Sequence, residues 1–150
     1  MLETVFKELY TKFKLHFYKE VMSRFQEREA SLTTVETFCM ETIMALGRPT
    51  VNEFATFLEI SSPNATYKVN QLVGKGYLKK VRSEQDKREY HLQVTKKYID
   101  YYNITNRYVS EVMARVRDRF SPEELKQFEG VLRIIDEELM SELPTPHTEV

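Results

Sequence analysis

Glycine and proline are scarce in this chain, with four Gly and five Pro among 150 residues. So little punctuation leaves room for long helices joined by few turns. A single cysteine, Cys39, excludes a disulfide framework within the chain and fits a reducing cytoplasm. No apolar run approaches the roughly 18 residues that a membrane span needs. The opening stretch MLETVFKELY lacks the basic region and apolar core of a secretory signal. A cytoplasmic protein with no membrane partner is therefore expected. Enzyme signatures are missing as well: there is no Gly-rich phosphate loop, no Ser/His/Asp set and no placed pair of carboxylates. An enzyme is not expected. His16, His91 and His147 stand far apart, and no His/Cys/Glu cluster has metal-ligand spacing, so neither metal nor cofactor is expected.

What is present is enough to build a core. Apolar residues make up 41% of the chain, including nine Phe and nine Tyr. Length predicts one domain over residues 1–150. The formal net charge of −1 hides an asymmetry. Residues 48–97 carry ten Lys/Arg against five Asp/Glu, a net of +5, while the remainder carries 12 against 18, a net of −6. A basic middle in an acidic frame locates a surface for a polyanion.

Residues 2–28 place Leu2, Phe6, Leu9, Phe13, Phe17, Val21 and Phe25 on one helical stripe. Val5, Tyr10, Tyr18 and Met22 widen it, as expected of a helix buried against both a core and a second subunit. A second helix starts at Thr33 or Thr34 and ends at Gly47. A short helix follows, capped by Thr50, with Glu53 placed to complete a capping box. The next begins at Ser61 or Ser62 with Pro63 in its first turn, buries Ala65, Val69, Leu72 and Val73, and closes at Gly76. YLKKVRS and EYHLQV then read as two strands of a hairpin around the charged tip EQDKRE, with no tight-turn dipeptide and so a flexible, protruding loop. Thr95 caps a long helix carrying Tyr98, Tyr101, Tyr102 and Val109. Ser121 and Pro122 restart the chain as a last helix to Leu143. Residues 98–143 form the closing helices and 144–150 a frayed tail.

Helix, short turn, helix and hairpin is the order of a winged helix-turn-helix. With its apolar stripe inward, the second helix of the pair turns Asn64, Tyr67, Asn70 and Gln71 outward, with Thr66 and Lys68 on the flanks. Such a face is uncharged and rich in donors and acceptors, suited to base edges. Helix starts at Thr50, Ser61 and Ser62 add amides for phosphate, and these residues complete the candidate DNA-contacting set with the wing. In the wing, Arg88 suits a narrow minor groove and Asp86, two residues earlier, is placed to orient it. Lys87 adds attraction for phosphate, as do Lys79, Lys80 and Arg82.

The stretch from Thr50 to Thr95 resembles the DNA-binding lobe of the MarR family of bacterial transcription regulators. The likeness rests on the helix spacing, the KGYL at the end of the second helix, and DKR followed by HLQVT. The flanking helices match in number and order. The resemblance implies a mainly α fold: a winged-helix lobe at 48–97, with 2–28 and 98–143 as dimerisation helices. It implies a repressor acting as a homodimer on double-stranded DNA, at a pseudo-palindromic site with half-sites about one turn apart. It puts Asp86 and Arg88 at the wing positions and Asn64, Thr66, Tyr67 and Lys68 on the major-groove segment. Tyr67 stands where the family often has Arg. A small-molecule effector pocket near the tyrosine-rich helix is a further implication, with His16, Tyr101 and Tyr102 as candidates. Cys39, flanked by Phe38 and Met40, reads as a buried apolar residue and not as an oxidant sensor. The competing class is a winged-helix protein–protein module without sequence-specific DNA binding. It predicts an apolar or acidic outer face on the second helix, which this sequence does not have.

Overall fold

The computed structural model describes residues 1–24, 32–102 and 104–147; the side chains of residues 101, 102, 104 and 105 lie outside that description. The backbone forms two compact units: Met1–Glu20 with Ile104–Thr145, and Val21–Asn103 with Pro146–Val150. No helix among the described residues is long and apolar enough to cross a membrane. The architecture is mainly helical with one antiparallel hairpin, as the sequence predicts.

The first unit takes most of α1 (Leu2–Arg24), with α6 (Ile104–Arg119), α7 (Pro122–Ile134) and a wider π-type turn at Ile135–Leu139. The expected end of α1 at residue 28 lies outside the described residues. Tyr108 of α6 stacks flat on His16 of α1, at 3.6 Å between ring centres, and meets Phe13 edge-on at 5.8 Å. Ser121 caps α7 through a full capping box with Glu124, and Pro122 fills the first turn where its missing N–H costs nothing. The chain alone leaves Leu2, Val5, Phe6 and Leu9 of α1 exposed, and likewise Phe128, Val131 and Leu132 of α7.

The second unit is built on α2 (Thr34–Ala45), α3 (Val51–Leu58), α4 (Ser62–Gly74), β1 (Leu78–Arg82), β2 (Tyr90–Val94) and α5 (Lys96–Tyr102). Its core joins Met40 and Ile43 of α2 to Phe54 of α3, Ala65, Val69 and Leu72 of α4, Leu78 and Leu92 of the hairpin, and Tyr98 of α5. Val73, expected inside, is half-buried at its margin. Each helix starts where a hydroxyl caps it. Thr33 and Glu36 form a capping box on α2; Thr50 Oγ1 accepts from the Glu53 amide on α3; Ser61 Oγ accepts from the Asn64 amide on α4. The box expected at Thr50 is only half formed among the described residues, because the Glu53 carboxylate does not return a bond.

Helix ends follow the same economy. Gly76, at φ +82°, closes α4: its amide reaches the Val73 carbonyl and that of Tyr77 the Leu72 carbonyl. The same pattern closes α3, but with Glu59 at φ 54°, where glycine is the usual choice. The strands pair from Leu78 with Val94 to Arg82 with Tyr90. The chain entering α3 lies along β2: the Leu92 amide donates to the Pro49 carbonyl, and Thr50 bridges His91.

One expectation is corrected. The tail is not frayed as far as His147, whose amide donates to the Ala45 carbonyl while its ring covers Gly47. A Cβ added at Gly47 would lie 2.7 Å from that ring, so the glycine there serves a close approach as well as its φ of +84°. Thr95 also has a second task, because its hydroxyl donates to the Gly76 carbonyl and ties the exit of the hairpin to the end of α4.

The Glu36 carboxylate is almost buried and serves two elements. It accepts from the Thr33 amide at 2.7 Å and from Lys75 Nζ at 2.8 and 2.9 Å, just past α4. Burial pushes the Glu36 carboxyl up, but the Lys75 ammonium and the Thr33 bonds outweigh it and hold it below the usual carboxylate range. A depressed carboxyl contributes stability above its unfolded pKa and loses that contribution as pH falls through the folded one. Glu36→Gln, which keeps a cap but loses the ion pair, should cost about 1 kcal/mol in urea denaturation at pH 7, and Glu36→Ala about 2–3 kcal/mol. The gap between wild type and Glu36→Gln should be constant above pH ~5 and shrink below pH ~4. A gap independent of pH would remove the ion pair from this account.

Candidate nucleic-acid interface

The outer face of α4 follows from its inner one. With Ala65, Val69 and Leu72 buried, Asn64, Thr66, Tyr67, Asn70 and Gln71 are exposed and Lys68 is half-buried. Three of these side chains are already engaged. Gln71 Nε2 donates to the Tyr67 hydroxyl at 2.7 Å, one helical turn away. Lys80 Nζ of β1 donates to Asn70 Oδ1 at 2.7 Å, so the wing strand and the helix face are joined. Neither bond was read from the sequence. The spacing of Tyr67 and Gln71 could have suggested the first, but nothing in the chain announces the second.

Ser61 and Ser62 lie exposed at the start of α4, where Ser61 Oγ takes the Asn64 amide and Pro63 carries no N–H. Thr50 is different. It is only 6% exposed, and its hydroxyl is taken up by the α3 cap, so its place here is to seat α3. His91 is also structural: its Nδ1 lies 2.7 Å from the Arg48 carbonyl.

The wing tip is more ordered than the loose loop expected. The Ser83 amide donates to the Glu89 carbonyl, and Ser83 Oγ accepts from the amides of Gln85 and Asp86. Arg82 Nε donates to the Lys87 carbonyl at 2.7 Å, and the Glu89 amide to the Asp86 carbonyl. These bonds supply what the missing Asn-Gly turn would have, because buried Ser83 satisfies the amides of the reversal. Asp86 accepts from the Arg88 amide at 3.0 Å and from Arg88 Nε at 3.3 Å. The backbone bond first, then the guanidinium, holds the Asp86 carboxyl below its usual range. The Arg88 side chain is 91% exposed, with its Nη groups beyond the contact to Asp86. Lys79, Lys80, Arg82 and Lys87 are exposed around it. A cleft of about 210 Å³ lies between residues 50–52 and the wing side chains of Lys80, Arg88, Glu89 and Tyr90.

The remaining candidates fall elsewhere. His16 is half-buried against Tyr108 in the first unit, and the side chains of Tyr101 and Tyr102 lie outside the described residues. Cys39 is buried; burial raises its thiol, Lys68 partly offsets this, and Glu36 adds to it. Such a thiol packs as a small apolar group.

Residues 32–90 match the model of the MarR family, whose members are transcription regulators and not enzymes. That is the family to which the sequence was likened, and the match spans α2 through the wing tip. The fold is shared with solved structures. FabT of Streptococcus pneumoniae, in a complex with DNA, is 23% identical, with a TM-score of 0.62 over 95% of this chain and 100% of that one. A MarR family protein from Bacillus stearothermophilus is 19% identical, with a TM-score of 0.65 over 93% of each chain. A mutant MepR from a multidrug resistant S. aureus clinical isolate is 16% identical, with a TM-score of 0.64 over 93% of this chain and 97% of that one. No curated protein matches the chain.

The bonds within the tip make a prediction independent of any ligand. Asp86→Ala frees the Arg88 amide and guanidinium, so trypsin should cut after Lys87 or Arg88 several-fold faster, with the melting temperature unchanged. Equal cleavage rates would mean that Asp86 does not order the tip.

Proposed function

We propose that this chain, whose residues 32–90 match the MarR family model, is a transcription regulator of that family that binds a pseudo-palindromic operator as a homodimer and represses transcription by covering a promoter. The observation that carries the reading is the joint presentation of α4 and Arg88 by one lobe with a net charge of +5. The exposed polar face of α4 suits a major groove. Asn64, Thr66, Tyr67, Lys68, Asn70 and Gln71 are the residues proposed to enter it, and the amides at Ser61 and Ser62 to meet phosphate. Arg88, steadied by Asp86, is proposed to enter the adjoining minor groove, and Lys87 to meet its phosphates. A protein-docking module would need an apolar or acidic face on α4, and this one is neither. FabT, which shares the fold, forms a complex with DNA, and that supports DNA as the ligand.

The homodimer is supported by the apolar residues that the isolated chain leaves exposed on α1 and α7. Apolar stripes at the two ends of a sequence, left open in one copy, suit burial against a second copy. Release by a small-molecule effector belongs to the same proposal. Of the candidates for its site, His16 is the one whose side chain is described, stacked on Tyr108.

In a gel shift with DNA from upstream of its own gene, the protein should bind at about 50 mM salt and weaken steeply as salt rises. Arg88→Ala should weaken binding about tenfold or more, the cost of a good groove contact. Absence of any shift at low salt would sink the DNA reading, and wild-type binding by Arg88→Ala would remove the wing from it. In light scattering the wild type should have the mass of a dimer, and Val131→Glu should halve it, since a charge buried in an apolar interface is not tolerated. A monomeric wild type would sink the homodimer.

A further inference from the structure

The bond between Lys80 and Asn70 bears on which base the recognition helix prefers. An asparagine amide can turn either end outward, and its two ends ask for opposite partners. The carbonyl accepts and the NH2 donates. In most exposed asparagines the choice is open. Here chemistry settles it: an ammonium only donates, so the atom 2.7 Å from Lys80 Nζ has to be the amide oxygen. Asn70 is exposed on the outer face of α4, and Lys80 reaches it from β1, on the strand face that also carries Leu78. With its oxygen turned to the wing, Asn70 keeps its NH2 for a ligand. The positive charge beside it adds to the bias, because it attracts lone pairs and repels N–H groups.

We infer that Lys80 is a positioning residue that makes Asn70 read an acceptor edge, so that the base pair facing Asn70 prefers guanine to adenine. This inference rests on the DNA reading proposed above. A lone asparagine pairs bidentately with adenine, accepting from N6–H and donating to N7. That pattern needs the same oxygen to accept a second bond while it faces the wing, and it brings an N–H toward an ammonium. Guanine offers N7 and O6, both acceptors, to the NH2 and the ammonium together. The pair Lys80–Asn70 then behaves as one extended donor set spanning wing and helix. Asn70 alone favours adenine; the bond from Lys80 reverses the preference.

The test uses the full chain and a pool of randomised duplex DNA, from which wild type, Asn70→Ala, Lys80→Met and Lys80→Arg each select binding sites. Asn70→Ala should lose its preference at one position in each half-site, and wild type should select guanine there. Replacing that guanine by 7-deazaguanine should weaken wild-type binding about fivefold or more and leave Asn70→Ala unaffected. Lys80→Met keeps the side-chain stem and frees the amide, so adenine should become as frequent as guanine at that position. Lys80→Arg keeps a cationic donor and should retain guanine. General loss of phosphate attraction in Lys80→Met lowers affinity at every sequence alike, and so cannot imitate a changed base preference. Any base other than guanine selected by wild type overturns the inference while leaving the DNA reading intact. So does an unchanged preference in Lys80→Met, or the absence of a position that responds to Asn70→Ala. A pool in which nothing is enriched overturns the DNA reading itself and this inference with it.

Discussion

The outward face of α4 is only as well placed as the helix that carries it, and the helix is held at its C-terminal end by donors. The last carbonyls of any helix lack partners and carry partial negative charge. Besides the Gly76 amide on the Val73 carbonyl, donors meet the carbonyls at the end of α4 and at the two residues that follow it. The Tyr77 amide reaches the Leu72 carbonyl, Lys97 Nζ reaches the Lys75 carbonyl at 2.9 Å, and the Thr95 hydroxyl reaches that of Gly76. Lys97 also lies 4.3 Å above the Tyr77 ring, which is itself buried. Lys75 extends the set by running to Glu36 at the start of α2. One carboxylate thereby fixes the beginning of one helix and the end of another. An unpaired Lys75 or a protonated Glu36 would leave the core in place and loosen the end of α4 from α2.

Much of this architecture was legible in the sequence because it rests on local rules. Ser61, Pro63 and Gly76 bracket α4 by capping chemistry alone, and Ser121 with Pro122 does the same for α7. The buried stripe Ala65, Val69 and Leu72 is a plain helical period, and from it the outer face follows without structure. The two-residue spacing of Asp86 and Arg88 suggests their pairing, and the bond at 3.3 Å is present. What escaped the reading depends on partners far apart in sequence. Glu36 and Lys75 are 39 residues apart, and their pairing exists only because α2 and α4 pack together. Lys80 and Asn70 are ten residues apart on different elements. His147 meets Gly47 across almost the whole second unit. Glu59 was missed for another reason: its left-handed backbone marks the turn of the helix pair at a residue that propensity would never nominate.

The wing tip shows how a misleading composition resolves. EQDKRE carries three acids and two bases, a poor recommendation for a surface that meets a polyanion. The acid that matters is Asp86, and it faces its own backbone first and the Arg88 guanidinium second. An exposed arginine loses much conformational freedom when it binds, and a partial restraint in the free protein reduces that cost. Glu89 contributes through its backbone, closing the tip onto Ser83 and Asp86. The exposed carboxylates of Glu84 and Glu89 have no such account.

The charge distribution has a consequence for specificity. A lobe at +5 attracts phosphate, yet the remainder of the chain at −6 brings the sum to −1. Attraction to DNA in general scales with the phosphates neutralised and is shared by every sequence. The acidic remainder weakens the long-range part of that attraction, so short-range contacts at a fitting site decide between sequences on the reading proposed above. Such contacts are decided by donor and acceptor placement, which the bonds of Tyr67 to Gln71 and of Lys80 to Asn70 restrict before any ligand arrives. Restricting them raises the penalty for a wrong base, because a held donor cannot turn to accommodate it. On the proposed reading, the charge balance and the held side chains of α4 act in the same direction, each lowering binding to wrong sites more than to the right one.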